Sequence, residues 1–207
     1  MTGVGMVSSG VVTGLLVWTA VASAHDATVH APPAPAAASV EARSATVKML
    51  DLELLDQHGD RVRLKRDVVG DRLAIIDTIY TTCPVVCPIV SRVFVSLQES
   101  LGERLGKDVV LVSISVDPTT DIPPRLKDYA ARWQARPGWF FLTGPKRSID
   151  EVLKGLNAYA PDRADHPSML LVGDGRSGRW RRFYGVPAPE RVLAEIEELG
   201  ARRVSGR

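Results

Sequence analysis

Hydrophobic and polar positions alternate along the chain with two different periods. Leu73 to Tyr80 and Val109 to Val116 are near-continuous apolar runs, the pattern of strands covered on both faces of a sheet. Thr46 to Leu55 alternates, and Asp56-Gln57-His58-Gly59-Asp60 follows as a turn. Val62 and Leu64 resume the alternation, so a hairpin is predicted there. Helical spacing covers Ile89 to about Leu105, then Pro123 or Pro124 to about Gln134 with Asp121 as the expected cap, then Lys146 to Tyr159. Trp139 to Thr143, Met169 to Val172 and Trp180 to Tyr184 read as further strands. Gly173 to Gly178 is the turn between the last two, and Asp162 to Pro167 is a polar loop. A final helix opens at Pro189 and runs to about Ala201. Strands alternating with helices predict one α/β layer structure: a central mixed sheet with helices on both faces, plus an N-terminal β-hairpin.

Composition changes the picture mainly at the N-terminus. The chain has 207 residues, 45% of them hydrophobic, enough for one domain with a proper core. Residues 3–24 carry no charged side chain, and their apolar heart, Val11 to Ala22, ends in the cleavage pattern Ala22-Ser23-Ala24. Residues 1–24 therefore read as an export signal cut after Ala24. Because no Lys or Arg precedes the apolar run, an uncleaved membrane anchor is the alternative; either one places the domain outside the cytoplasm. Residues 25–45 are Ala- and Pro-rich and read as an extended tether, leaving 46–207 as the folded domain. His25 and His30 sit in the tether as solvated residues, although cleavage would give His25 a free amine able to chelate metal. A net charge of +2 is too small to argue for a nucleic-acid partner.

Both cysteines lie in one stretch, Tyr80-Thr81-Thr82-Cys83-Pro84-Val85-Val86-Cys87-Pro88, where a strand hands over to a helix. Helical geometry at this spacing would put their Cβ atoms roughly 5–6 Å apart, suiting one soft metal ion or a disulfide. Pro84 suits a first helical turn and Pro88 disfavours α geometry at Cys87, so an irregular turn is expected with the regular helix starting near Pro88. Sulfurs beside a helix N-terminus favour the thiolate that metal binding and disulfide exchange both need. A disulfide here would close so small a loop that it would stabilise little, which favours chemistry over a structural staple. The third candidate is His166, in Asp165-His166-Pro167, with Asp165 as its candidate orienting partner. Two thiolates and an imidazole would suit Cu(I) or Cu(II); zinc would accept the same set with a water, but no general base stands at motif spacing.

The chain resembles the Sco/SenC family of thioredoxin-fold copper chaperones, which serve assembly of the copper centre of cytochrome c oxidase. The resemblance rests on the nine-residue cysteine stretch, on Ser113-Ile114-Ser115-Val116-Asp117-Pro118 with Asp121, Pro123, Leu126 and Tyr129, on Trp139 with Leu142-Thr143-Gly144, and on Asp165-His166 with Gly185. It implies a thioredoxin-like fold, one copper ion bound by Cys83, Cys87 and His166, an oxidase subunit carrying the copper centre as recipient, and an exported or membrane-tethered location. Two positions depart from the family pattern: Asp77 and Thr78 stand where it usually has Asn and an aromatic residue, and Pro167 where Ser or Thr is commoner. The alternative function is a thiol–disulfide reductase acting on partner cysteines through Cys83 and Cys87, although the three-residue spacer departs from the C-x-x-C of dedicated thioredoxins. A third reading is an interaction module whose basic hairpin, Arg176, Arg179, Arg181 and Arg182, docks an acidic partner.

Overall fold

The computed structural model describes residues 1–3 and 41–205. The signal or anchor, most of the tether, His25 and His30 lie outside the described residues. The strands are β1 (Arg43–Ala45), β2 (Glu53–Leu55), β3 (Arg61–Arg63), β4 (Leu73–Ile79), β5 (Val109–Ser115), β6 (Trp139–Leu142), β7 (Met169–Asp174) and β8 (Trp180–Tyr184). The helices are α1 (Val86–Leu101), α2 (Pro123–Arg132), α3 (Lys146–Gly155) and α4 (Pro189–Ser205). One six-stranded sheet has the order β1-β8-β7-β4-β5-β6, and β2-β3 form a separate hairpin. β4, β5 and β6 run parallel, while β7 is antiparallel to β4 and to β8, so the sheet is mixed as expected.

Every residue of β4 and of β5 is buried, which is why both read as unbroken apolar runs. Alternate side chains feed two cores. Leu73, Ile75 and Ile79 pack with Phe94 of α1, Leu126 of α2 and Ile196 of α4. Ala74 and Ile76 pack with Leu64, Val68 and the α3 residues Ile149 and Val152. Helices thus cover both faces, and the strand ends from which the functional loops emerge are held rigidly from either side.

Local differences from the sequence reading have identifiable causes. Arg43–Ala45, within the stretch read as a tether, is an edge strand paired with β8, and Arg181 donates to the Ala42 carbonyl. Within Thr46 to Leu55 only Glu53–Leu55 is a strand; upstream, the Lys48 N–H donates to the Gly155 carbonyl and Asn157 to that of Thr46. These residues satisfy their backbone on the end of α3 instead of in a ladder. Gly155 permits the approach, since a Cβ there would meet the Lys48 oxygen at 2.3 Å. Leu64 is not a strand residue but opens a wide helical turn, Leu64–Val69, that buries Leu64, Val68 and Val69 together.

Candidate metal and redox site

β4 ends at Ile79, and the Cys83 N–H closes a turn onto the Tyr80 carbonyl at 3.0 Å. α1 then starts at Val86, two residues before the expected Pro88. Pro88 is the third residue of the helix, where an N–H has no intrahelical partner, so its missing donor costs the helix nothing; the steric bias at Cys87 is a separate effect, and the helix forms in spite of it. The Cys87 N–H is itself caught by the Cys83 sulfur at 3.4 Å. One cysteine therefore caps the helix that carries the other, where Val85 offers no side-chain cap.

The two thiols are free and differ in setting: Cys83 is half-buried and Cys87 fully buried. Burial pushes the Cys83 thiol up, but the Cys87 backbone and thiol, the Val85 backbone and the Tyr80 hydroxyl outweigh it and hold it below the ordinary thiol value. Burial pushes Cys87 far up, opposed by the Tyr80 backbone and reinforced by Cys83 and Asp77. Cys83 is the more exposed and more readily ionised sulfur, and Cys87 the buried one that holds its proton. Tyr80→Phe should therefore raise the Cys83 pKa and slow its alkylation by iodoacetamide at neutral pH. The pH profile of that rate checks this; an unmoved profile would show that the hydroxyl does not act on the sulfur.

Asp121 does not cap α2, whose N-terminal flank is Ile122 with no side-chain bond. Its carboxylate is fully buried instead. It accepts from the Thr81 N–H at 3.1 Å, the Thr81 hydroxyl at 2.5 Å and the Ser115 hydroxyl at 2.7 Å. It pins the cysteine turn to the end of β5. Asp121→Ala would orphan three donors at about 1–3 kcal/mol each before relaxation, so a loss of about 3 kcal/mol is expected in urea unfolding. A loss below about 1 kcal/mol would mean that the turn holds without this clamp.

His166 stands at the same edge because of strand register. Asp77 pairs with Leu170 in the antiparallel β4–β7 ladder, so the exit of β4 and the approach to β7 are neighbours. The imidazole Nδ1 bonds the Arg163 carbonyl, not Asp165 as the sequence suggested. A carbonyl only accepts, so Nδ1 carries the hydrogen; in the neutral ring Nε2 is then the nitrogen with the lone pair. The ring meets the Tyr80 ring edge-on, with centroids 5.6 Å apart, and the Tyr80 hydroxyl reaches towards Cys83. Tyr80 thus neighbours both the imidazole, through its ring, and Cys83, through its hydroxyl. Among the described residues, no three His, Cys, Asp or Glu side chains already sit as a metal-holding group, although Cys83 and Cys87 are in direct contact through the Cys87 N–H. The Arg163 guanidinium lies over the Tyr80 ring, 5.8 Å from its centroid, and is ion-paired to Asp117 at 3.1 Å. Tyr80, Asp117 and Arg163 were not assigned roles from sequence. Only the adjacency of Tyr80 and the cysteines hinted at one of them.

A mixed sheet with helices on both faces and two cysteines at a strand-to-helix turn defines a thioredoxin-like domain. The chain belongs to the SCO1/SenC family, whose model matches residues 40–200. Solved structures agree. A SCO1/SenC family lipoprotein from Bacillus anthracis is 22% identical with a TM-score of 0.66, over 76% of this chain and 98% of that one. ScoI from Bradyrhizobium japonicum, solved with copper bound, is 26% identical with a TM-score of 0.59, over 71% and 96%. BsSco, described as a Sco-family cytochrome c oxidase assembly protein with a disulfide switch, is 24% identical with a TM-score of 0.64, over 77% and 96%. No curated protein matches the chain.

Proposed function

We propose that this chain binds one copper ion through Cys83, Cys87 and His166 and passes it to the copper-centre subunit of cytochrome c oxidase. The observation that carries the reading is that two free thiols follow the exit of β4 while His166 precedes the neighbouring β7, with its Nδ1 held by the Arg163 carbonyl. The donor set fits the metal: thiolates favour Cu(I), and the imidazole adds competence for Cu(II). Family membership and the copper-bound ScoI of Bradyrhizobium japonicum support it. Release proceeds by ligand exchange as partner ligands replace the thiolates, and it is redox-coupled because both sulfurs must be reduced to bind.

The domain works outside the cytoplasm in this reading, carried there by residues 1–24. Among the described residues no helix is long and apolar enough to cross a membrane. The SCO1/SenC relative from Bacillus anthracis is a lipoprotein, which supports an exported setting for this chain too.

A second reading has its own observation, the opposite displacement of the two thiol pKa values. The Cys83 thiolate would attack a partner disulfide and release one partner thiolate. Cys87, once deprotonated, would then attack the Cys83 sulfur and release the second. Two electrons pass to the partner, and a Cys83–Cys87 disulfide remains. Anaerobic copper titration of the reduced chain separates the readings. The copper reading expects one Cu(I) per chain, in competition with a chromophoric chelator, and a thiolate-to-Cu(II) absorption band. Absence of binding, with rapid reduction of a model disulfide by the metal-free chain, would leave the reductase.

A further inference from the structure

α1 and α2 both start at the edge that carries Cys83 and are joined side by side through the Ser91 and Tyr129 hydroxyls, 3.0 Å apart. Further along, a groove of about 630 Å³ opens between α1 and the end of α2. Its walls carry Arg92, Arg132 and Arg136 against a single acid, Glu99, and Val95 and Trp133 supply apolar surface. Two of the guanidiniums are already held. Arg132 lies over the Tyr129 ring at 5.1 Å, and Arg136 donates to the Gln98 carbonyl at 3.3 Å. Elsewhere the surface arginines Arg61, Arg104 and Arg202 meet carboxylates, whereas among the described residues Arg92, Arg132 and Arg136 meet none. Positioned cations without a carboxylate partner, around a furrow with apolar walls, form a surface complementary to negative charge.

We propose that this groove seats an acidic peptide segment of a partner protein. Its carboxylates meet Arg92, Arg132 and Arg136, and its apolar side chains rest on Val95 and Trp133. A peptide fits better than an anionic bilayer because the guanidiniums surround a concavity; an extended chain can enter it, whereas a plane of headgroups would touch only its rims. The groove shares α1 with Cys87, so a partner seated here would be anchored on the helix that carries the sulfur turn. The inference does not depend on copper and would hold for a redox partner as well.

The test uses the full chain and a fluorescein-labelled peptide of repeating Glu-Glu-Leu, followed by anisotropy, with a Gln-Gln-Leu peptide as control. The acidic peptide should bind, the control should not, and affinity should fall as salt passes ~0.15 M, where charges are screened beyond about 8 Å. Arg92→Glu with Arg132→Glu should weaken binding by about tenfold or more, and the milder Arg92→Gln with Arg132→Gln by less. Arg176→Glu with Arg179→Glu, on the β7–β8 hairpin, should leave it unchanged. Circular dichroism confirms that each variant is folded, and the Gln pair serves if the Glu pair is not. Equal binding by the groove variants and the native chain would overturn the proposal. So would binding only to phosphatidylglycerol vesicles, lost in the same variants, which would assign the groove to a membrane surface.

Discussion

Cys87→Ser is expected to lower Cu(I) affinity by more than about 100-fold, and His166→Ala to abolish the Cu(II) absorption band while sparing part of the Cu(I) affinity. Loss of an outer-shell partner already costs a metal site 10–100-fold, so loss of a thiolate that touches the ion must cost more. The asymmetry between the variants follows from donor chemistry. Thiolates hold the soft Cu(I), and the imidazole matters most for the harder Cu(II). Serine nearly preserves the shape of the buried Cys87 side chain and leaves the backbone N–H that bonds the Cys83 sulfur, so the fold should survive. Chelator competition for Cu(I) and the absorption spectrum for Cu(II) read the two effects separately. An unchanged Cu(II) spectrum in His166→Ala would remove that residue from the site, and undiminished Cu(I) capture by Cys87→Ser would remove the buried sulfur.

Asp77→Asn should make the protein more stable at pH 8 and flatten its stability between pH 4 and pH 7. Asp77 lies in the middle of β4, fully buried, and neither carboxylate oxygen has a hydrogen-bond partner. Burial raises its pKa from 3.8 to about 7; the nearby Ser113 hydroxyl and its own backbone N–H pull the other way without closing a full hydrogen bond. Below pH ~4 the folded and unfolded chains both hold this proton. Between about 4 and 7 only the folded chain does, so folding takes up a proton and stability falls as pH rises. Above about 7 both forms are ionised and the whole cost of the buried charge stands, about 4 kcal/mol at 1.36 kcal/mol per pKa unit. Asparagine removes the charge but buries an amide with no better partners, at about 1–3 kcal/mol. The net gain at pH 8 is therefore about 2 kcal/mol, shrinking to nothing or reversing near pH 4. Urea unfolding across that range tests it, and parallel pH profiles for the two proteins would show that Asp77 does not titrate between them.

The same carboxylate shows how far sequence reading reaches. Its departure from the family pattern was visible in Ile76-Asp77-Thr78, but not that it would be buried without a hydrogen bond. Asp121 was legible as an acid before a proline-opened helix, which is where a cap belongs. Its true partners, Thr81 and Ser115, lie 40 and 6 residues away, and only the β4–β5 pairing makes them neighbours. The prolines flanking the cysteines suggested a later start for α1 than the one observed, because local preferences at Cys87 cannot register that Cys83 would cap the turn.

By itself the sequence determined the elements and the chemistry: unbroken apolar runs that must be interior strands, amphipathic stretches that must be helices, and two cysteines at the junction of one with the other. These are local properties, set by side-chain period and residue type. Tertiary structure alone decided that His166, 83 positions after Cys83 by residue number, comes to the same edge of the sheet. It also decided that Tyr80 meets that ring edge-on, and that Arg163, paired to Asp117, lies over Tyr80. The reason is that strand register is a long-range choice, fixed by which apolar faces fill the two cores together, and no stretch of chain carries that information alone.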